Sequence, residues 1–170
     1  MAATKRFFVL RGTLWVFAAA MLLFSFCTDS DPCQVPCLFG DCQNERCNCL
    51  VGYEGDSCHI KTIDRYVGTW TALDTCQTNL WGYTAYFRAK SLTQLGIENF
   101  GGFGTSFVAL GQVAGDTLTI LAQTVQGISL SGTGRVTEKD SVARKMAVYF
   151  TLSDEWGNTD TCRCLWQRQQ

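Results

Sequence analysis

The sequence predicts an all-β protein in which a small disulfide-rich module precedes an eight-stranded antiparallel β-domain. Three observations predict it. Seven of the ten cysteines lie between residues 27 and 60, and both prolines lie there too. Residues 61–170 contain no proline and alternate apolar with polar residues, which is the pattern of half-buried strands. The chain therefore divides into residues 1–26, residues 27–60 and residues 61–170.

The N-terminal segment predicts export. Lys5 and Arg6 precede an uncharged apolar run from Gly12 to Phe26. A bilayer span needs about 20 residues, so this shorter run favours a signal peptide. The alternative is an N-terminal anchor helix. Ten cysteines in 170 residues agree with an oxidising compartment outside the cytosol.

Residues 61–170 predict a barrel. Met146, Val148 and Phe150 share one face of a strand, and the segment from Tyr83 to Lys90 alternates in the same way. Turn signals separate such runs, and eight strands are expected, near Val67, Tyr83, Leu95, Phe107, Leu118, Gly127, Val142 and Thr161. An up-and-down, closed or nearly closed barrel fits best because closure leaves no free strand edges.

Six cysteines form a motif in the first module: Cys33, Cys37, Cys42, Cys47, Cys49 and Cys58. The C-x-C pair, the Gly52-Tyr53 step, Gly55 and the final cysteine resemble an EGF-like module. Spacing alone leaves fifteen pairings open. The resemblance implies the disulfides Cys33–Cys42, Cys37–Cys47 and Cys49–Cys58. A zinc site is disfavoured because C-x-C lacks the usual ligand gap, and tight calcium binding is not expected.

Cys27 ends the apolar run and is followed by Thr28-Asp29-Ser30-Asp31. This resembles the signal of a bacterial lipoprotein, although Phe26 stands where a small residue is usual. The resemblance implies that Cys27 carries a lipid and that the protein sits on the outer membrane or cell surface. Secretion without an anchor is the alternative.

The β-domain opens with Gly68-Thr69-Trp70, which is similar to the start of lipocalin and calycin barrels. That likeness implies that Trp70 closes one end of the barrel under a basic residue, either Arg163 or Arg168. Together with the loop Asn99–Gly104 and the ending Asp160-Thr161-Cys162, the domain also resembles small domains of Bacteroidota-type surface lipoproteins, which have no established function.

The domain's three cysteines leave one thiol over. Cys162 and Cys164 lie two apart on one strand, so only one of them can reach Cys76. The Bacteroidota-type resemblance implies Cys76–Cys162, with Cys164 as a buried thiol.

No constellation for catalysis is found. His59 is the single histidine, so neither a Ser-His-Asp arrangement nor a histidine-rich metal centre is available. The glycine-rich segment Gly101–Gly104 lacks the lysine of a phosphate loop. After residue 26, 11 basic residues stand against 15 acidic ones, and they are scattered, which argues against nucleic acid. We expect no catalytic residue, no cofactor and no metal.

Two functions are compatible with these observations. The first is a surface binding or scaffolding protein whose partner is an extracellular protein or glycan. The alternative is a carrier of a small apolar ligand inside the barrel. The first is favoured because six bulky residues are predicted to point inward and fill a small barrel: Trp70, Phe87, Phe107, Met146, Phe150 and Trp166. Four aromatic residues are candidate surface anchors: Trp81, Tyr86, Phe103 and Trp156.

Overall fold

A computed structural model describes residues 33–139 and 143–169. The first module contains four short strands, β1 (Gly40–Gln43), β2 (Arg46–Cys49), β3 (Tyr53–Glu54) and β4 (Ile60–Lys61). Eight longer strands follow, β5 (Gly68–Cys76), β6 (Leu80–Ala89), β7 (Gln94–Glu98), β8 (Val108–Ala114), β9 (Thr117–Val125), β10 (Ile128–Lys139), β11 (Ala143–Ser153) and β12 (Thr159–Arg168). Single 3-10 turns span Thr62–Arg65 and Phe100–Gly102. Within the described ranges, no helix is long and apolar enough to cross a membrane.

Strands β5 to β12 form a closed barrel. Each strand pairs antiparallel with the next along the chain, and β12 pairs with β5 to close the sheet, with Leu165 opposite Leu73. This confirms the predicted all-β, eight-stranded antiparallel architecture. The apolar residues that alternate along the sequence are the buried ones in the structure. Met146, Val148 and Phe150 all face the interior of the barrel.

The barrel interior is filled by large side chains. Trp70, Phe87 and Trp166 are fully buried, and the Phe87 ring lies 5.4 Å from Trp70 and 5.6 Å from Trp166. Small residues stand opposite two of these rings, with Ala85 opposite Trp70 and Ala72 opposite Trp166. Close backbone packing limits side-chain size elsewhere in the sheet. At Gly132 an added Cβ would come within 2.4 Å of the Tyr149 carbonyl oxygen, so no larger residue fits where β10 approaches β11.

The segment before β5 closes one end of the barrel, which we call the module end. Tyr66 is fully buried there, and its hydroxyl donates to the Gly115 carbonyl at 2.8 Å. The Trp70 indole N–H donates to the Tyr66 carbonyl at 2.8 Å. These two hydrogen bonds fix the entry of the chain into β5.

The loop between β7 and β8 closes the opposite end, which we call the plug end. Phe100 inserts into the barrel, with its ring 4.8 Å from Phe150 and 5.9 Å from Trp166. Asn99 holds the loop in place: it adopts a left-handed conformation (φ 59°), its Oδ1 accepts from the Gly104 N–H, and its amide donates to the Thr84 carbonyl. The glycine-rich segment is therefore the stem of a hydrophobic plug.

The disulfide-rich module packs directly against the module end. The Arg65 guanidinium contacts Glu54 of the module at 2.7 Å and Asp116 of the β8–β9 turn at 2.8 Å. The Thr62 N–H also donates to the Gly52 carbonyl at 2.9 Å. Burial lowers the pKa of Arg65, but the two carboxylates more than offset this and raise it overall. Module and barrel belong to one compact unit.

Of the two candidates for the basic residue over Trp70, Arg163 is excluded by its position. Arg163 cannot cover that ring because its alternate position on β12 puts it on the outside of the barrel, opposite Thr75 and Tyr149. Arg168 is the basic residue at the Trp70 end. It is in register with Trp70, its guanidinium lies against Gly68, and it donates to the Arg65 carbonyl at 2.8 Å.

Candidate functional site: a buried polar cluster and an apolar outer face

A carboxylate lies inside the barrel, near the plug end. Asp74 is fully buried on β5, and its Oδ1 accepts a hydrogen bond of 3.0 Å from the Trp166 indole N–H. Its second oxygen, Oδ2, has no hydrogen-bond partner. Burial raises the pKa of Asp74, and the polar contacts from Cys164, Trp166 and Tyr83 offset only part of this.

The free thiol of the barrel lies beside this carboxylate. Cys164 is buried and stands opposite Asp74 in the β5–β12 register. Burial raises the pKa of its thiol, and the neighbouring Asp74 raises it further. A thiol in such surroundings stays protonated at neutral pH, which makes it a poor nucleophile.

Two further polar groups complete the buried polar cluster. Trp81 stands opposite Asp74 in the β5–β6 register, and the Tyr83 ring lies edge-on to Trp166 at 6.3 Å. The Trp81 indole N–H and the Tyr83 hydroxyl are buried without a hydrogen-bond partner. Buried polar groups are normally paired, and Asp74 and Tyr83 lie close enough for a polar contact with each other, so these atoms mark a polar site within the barrel.

None of the sequence patterns above predicts this cluster. Its signal was present, because Trp70, Ala72 and Asp74 occupy alternate, inward positions and an acid there breaks the apolar pattern. The proximity of Trp81 and Tyr83 depends on the β5–β6 register, which the pattern of one strand does not contain.

The described part of the chain contains four disulfides: Cys33–Cys42, Cys37–Cys47, Cys49–Cys58 and Cys76–Cys162. Cys76 and Cys162 are directly opposite in the β5–β12 register, which explains why Cys162 and not Cys164 is bridged. These are the pairs that the resemblances imply. Cys27, the expected lipidation site, lies outside the described residues.

No metal centre is supported by the described residues. Two groups of potential ligands converge, Cys33 with Cys37 and Cys47, and Cys76 with Asp160 and Cys162. Every cysteine in both groups is in a disulfide, so its sulfur is not available as a thiolate. The donor chemistry therefore does not fit a bound metal.

His59 and Asp154 each make contacts within their own local segment. His59 is exposed, and its ring nitrogen lies 2.7 Å from the Ser57 hydroxyl. Asp154 accepts hydrogen bonds from the backbone of Trp156 and Asn158 and from the Asn158 side chain, and the Asn158 contacts lower its pKa. Asp154 thereby holds the β11–β12 turn in shape.

The four candidate surface anchors divide into two pairs. Trp156 is 79% exposed at the β11–β12 turn, and Phe103 is also exposed. Tyr86 is half-buried under the Arg88 guanidinium, 5.8 Å from the ring centre. Trp81 is not an exposed anchor, because odd-numbered residues of β6 face inward and its indole nitrogen is buried.

An apolar outer face, missed by the sequence analysis, crosses β5, β6, β11 and β12. Leu73 and Leu165 are directly opposite each other and about half exposed. Leu80 and Tyr149 are exposed in the adjoining row. These four residues are the outer apolar face below. A polar surface groove of about 850 Å³ lies beside it, lined by Thr71, Glu138, Arg144, Lys145, Gln167, Arg168 and Gln169.

No protein-family model matches the chain, and no curated protein matches it. The chain is similar to the solved structure of EF1p2_mFAP2b bound to DFHBI, with 17% identity, a TM-score of 0.48 and coverage of 64% of this chain and 97% of that one. It is also similar to a Bacteroides ovatus structural-genomics protein of unknown function, with 14% identity, a TM-score of 0.41 and coverage of 61% of this chain and 42% of that one. The barrel assignment here comes from the chain's own strand pairing.

Proposed function

We propose that the protein is an exported, lipid-anchored surface protein that binds or scaffolds an extracellular protein or glycan and catalyses no reaction. The observation that carries the proposal is the filled barrel interior. The Phe100 ring contacts both Phe150 and Trp166 where a carrier would hold its ligand. A partner therefore meets the outside of the barrel.

The outer apolar face supports this proposal. Leu73, Leu165, Leu80 and Tyr149 expose apolar surface on a continuous sheet, which is the composition of an interface core. Arg163 lies between them in the same row as Tyr149, and arginine beside exposed aromatic and aliphatic groups is common at binding hot spots.

The proposal is tested by photo-crosslinking on intact cells. A benzophenone amino acid at Leu165 should give a discrete crosslinked product, because the side chain is exposed at the centre of the outer apolar face. The matched control places the same probe at Thr119, exposed on the opposite wall of the barrel in β9. Equal labelling at both positions, or none at either, would count against a partner on this face.

Anchoring is tested separately with Cys27→Ser. The variant should move from the membrane fraction to the medium and lose incorporation of labelled fatty acid. Unchanged membrane retention together with unchanged lipid labelling would refute Cys27 as the attachment point.

A second candidate function, the carrier, is favoured by the buried polar cluster. A polar group beside Asp74 and Tyr83 would find hydrogen-bonding capacity there, because Asp74 Oδ2 and the Tyr83 hydroxyl are among the buried polar atoms without a well-formed hydrogen bond. The ligand of such a carrier would have a polar end, in contrast to the purely apolar ligand expected from the sequence. An ordered water molecule would satisfy the same atoms without a transport function.

A further inference from the structure

The disulfide-rich module exposes an unusual amount of apolar surface for its size. Leu50 is 57% exposed and Val51 is 82% exposed, and both follow β2. Leu38 and Phe39, just before β1, are exposed as well. The Leu50 N–H donates to the Phe39 carbonyl at 2.9 Å, so the two segments lie side by side at the open end of the β1–β2 hairpin.

This surface continues onto the barrel. Gly52 follows Val51 and packs so closely on the β6–β7 loop that an added Cβ would lie 2.9 Å from the Leu92 Cβ. Leu92 is itself exposed. We call Leu38, Phe39, Leu50, Val51 and Leu92 the junction patch. It exists as one surface only because the module is fixed against the barrel.

A basic residue, Lys61, lies close to the junction patch. The Phe39 ring stacks on Tyr53 at 4.3 Å, and Tyr53 is paired across the β3–β4 ladder with Lys61, which is exposed. An aliphatic and aromatic surface with an adjacent lysine matches the boundary between acyl chains and anionic headgroups in a bilayer.

The length of chain before the module restricts what can cover this patch. Cys33 is six residues from Cys27, and six extended residues reach about 20 Å. If Cys27 carries the lipid, the module is held at the membrane surface. We infer that the junction patch rests on the lipid bilayer, so that the anchored protein has one fixed orientation with its outer faces presented away from the lipid. This inference depends on the anchoring proposed above.

The test measures contact between the patch and lipid directly. The full chain is expressed, purified from membranes in detergent and reconstituted into phosphatidylethanolamine and phosphatidylglycerol vesicles whose acyl chains carry bromine. Val51→Trp adds a fluorophore at the most exposed position of the patch. Gln43→Trp, at the opposite end of the same hairpin and also exposed, is the matched control. Non-reducing gels verify that both variants keep their disulfides.

Emission is compared with that of the unsubstituted protein, so that only the added tryptophan is counted. Brominated lipid should quench most of the emission that Val51→Trp adds and little of the emission that Gln43→Trp adds. If the protein co-floats with the vesicles but the two positions are quenched equally, the junction patch does not contact lipid, and the anchoring proposal is unaffected. If the protein does not co-float, the anchoring proposal fails and this inference fails with it. Shielding of position 51 from aqueous quencher on intact cells, without lipid quenching, would assign the patch to a protein partner and overturn the inference.

Discussion

Two buried charged residues have opposite situations in this fold. Arg65 has two carboxylate partners at hydrogen-bond distance. The groups that contact the Asp74 carboxylate are Cys164, Trp166 and Tyr83, none of which carries a positive charge. A paired charge keeps its ionised form, while an isolated buried carboxylate favours its proton. Arg65 therefore acts as a structural link at neutral pH, and Asp74 is a source of pH dependence.

Replacing Arg65 with Met should weaken the attachment of the module to the barrel. Methionine keeps most of the packing volume but removes the charged contacts to Glu54 and Asp116, and charge-assisted hydrogen bonds of this kind are worth about 2 kcal/mol. Denaturant unfolding measures the loss. Arg88→Met is the control, because its 3.5 Å contact with Glu98 is exposed and should cost less than about 1 kcal/mol. If both variants lose the same free energy of unfolding, Arg65 contributes no more to stability than an exposed ion pair does.

The stability of the protein should fall as pH rises above the ordinary pKa of an aspartate. The folded-state pKa of Asp74 is raised, so the folded protein retains a proton that the unfolded chain releases, and the unfolded state binds fewer protons in that pH window. Asp74→Asn should remove this loss, since its amide keeps an acceptor for Trp166. Thermal unfolding between pH 4 and 8 would show a flatter profile for the variant.

Asp56→Asn, at an exposed position of the module, is the control and should leave the profile unchanged. The neighbouring titratable groups, Tyr83 and Cys164, have raised pKa values and stay neutral in this range. Parallel profiles for wild type and Asp74→Asn would contradict the assignment.

At the scale of elements, the barrel depends on a plug and a cross-link. Phe100 enters from a loop and packs on the interior rings, while Phe103 of the same loop is exposed. Phe100→Ala should cost about 3 to 5 kcal/mol, the usual range for a buried aromatic, and Phe103→Ala should cost much less. Thermal or denaturant unfolding distinguishes them. If Phe100→Ala and Phe103→Ala lose similar free energies of unfolding, insertion of the Phe100 ring is not what stabilises the closed end of the barrel.

The disulfide between β5 and β12 closes the barrel covalently across 86 residues. Converting both Cys76 and Cys162 to Ala should lower the free energy of unfolding by about 4 kcal/mol in the chain-entropy model. Thiol labelling of the unfolded, unreduced wild type should mark Cys164 alone among the cysteines of the barrel. Labelling of Cys162 with protection of Cys164 would reverse the assignment.

The sequence predicted the elements well and their tertiary contacts poorly. Alternation at Met146, Val148 and Phe150 is a local property, and it identified both the strand and its buried face. Trp81 was assigned to the surface because the predicted alternating segment began at Tyr83, whereas β6 begins at Leu80 and the same alternation turns Trp81 inward. The polar cluster could not be predicted locally because it needs three strands to meet. The sequence around Arg65 contains no local pattern that predicts its contacts with Glu54 and Asp116.

At the scale of the whole molecule, the two ends of the barrel have different roles. The module end is covered by the disulfide-rich module through Arg65, Thr62 and Gly52, and it includes the junction patch. The plug end is closed by Phe100 above the buried polar cluster. A barrel closed at both ends and filled between them leaves its outer faces for binding, which is the central claim about function.

Native mass spectrometry of the full protein, purified without denaturation, tests that claim most directly. A filled barrel predicts the mass of the polypeptide with four disulfides plus any lipid on Cys27, and nothing further. A small molecule retained at one per chain, and lost when Asp74 is changed to Asn or Tyr83 to Phe, would contradict it and establish the barrel interior as the binding site.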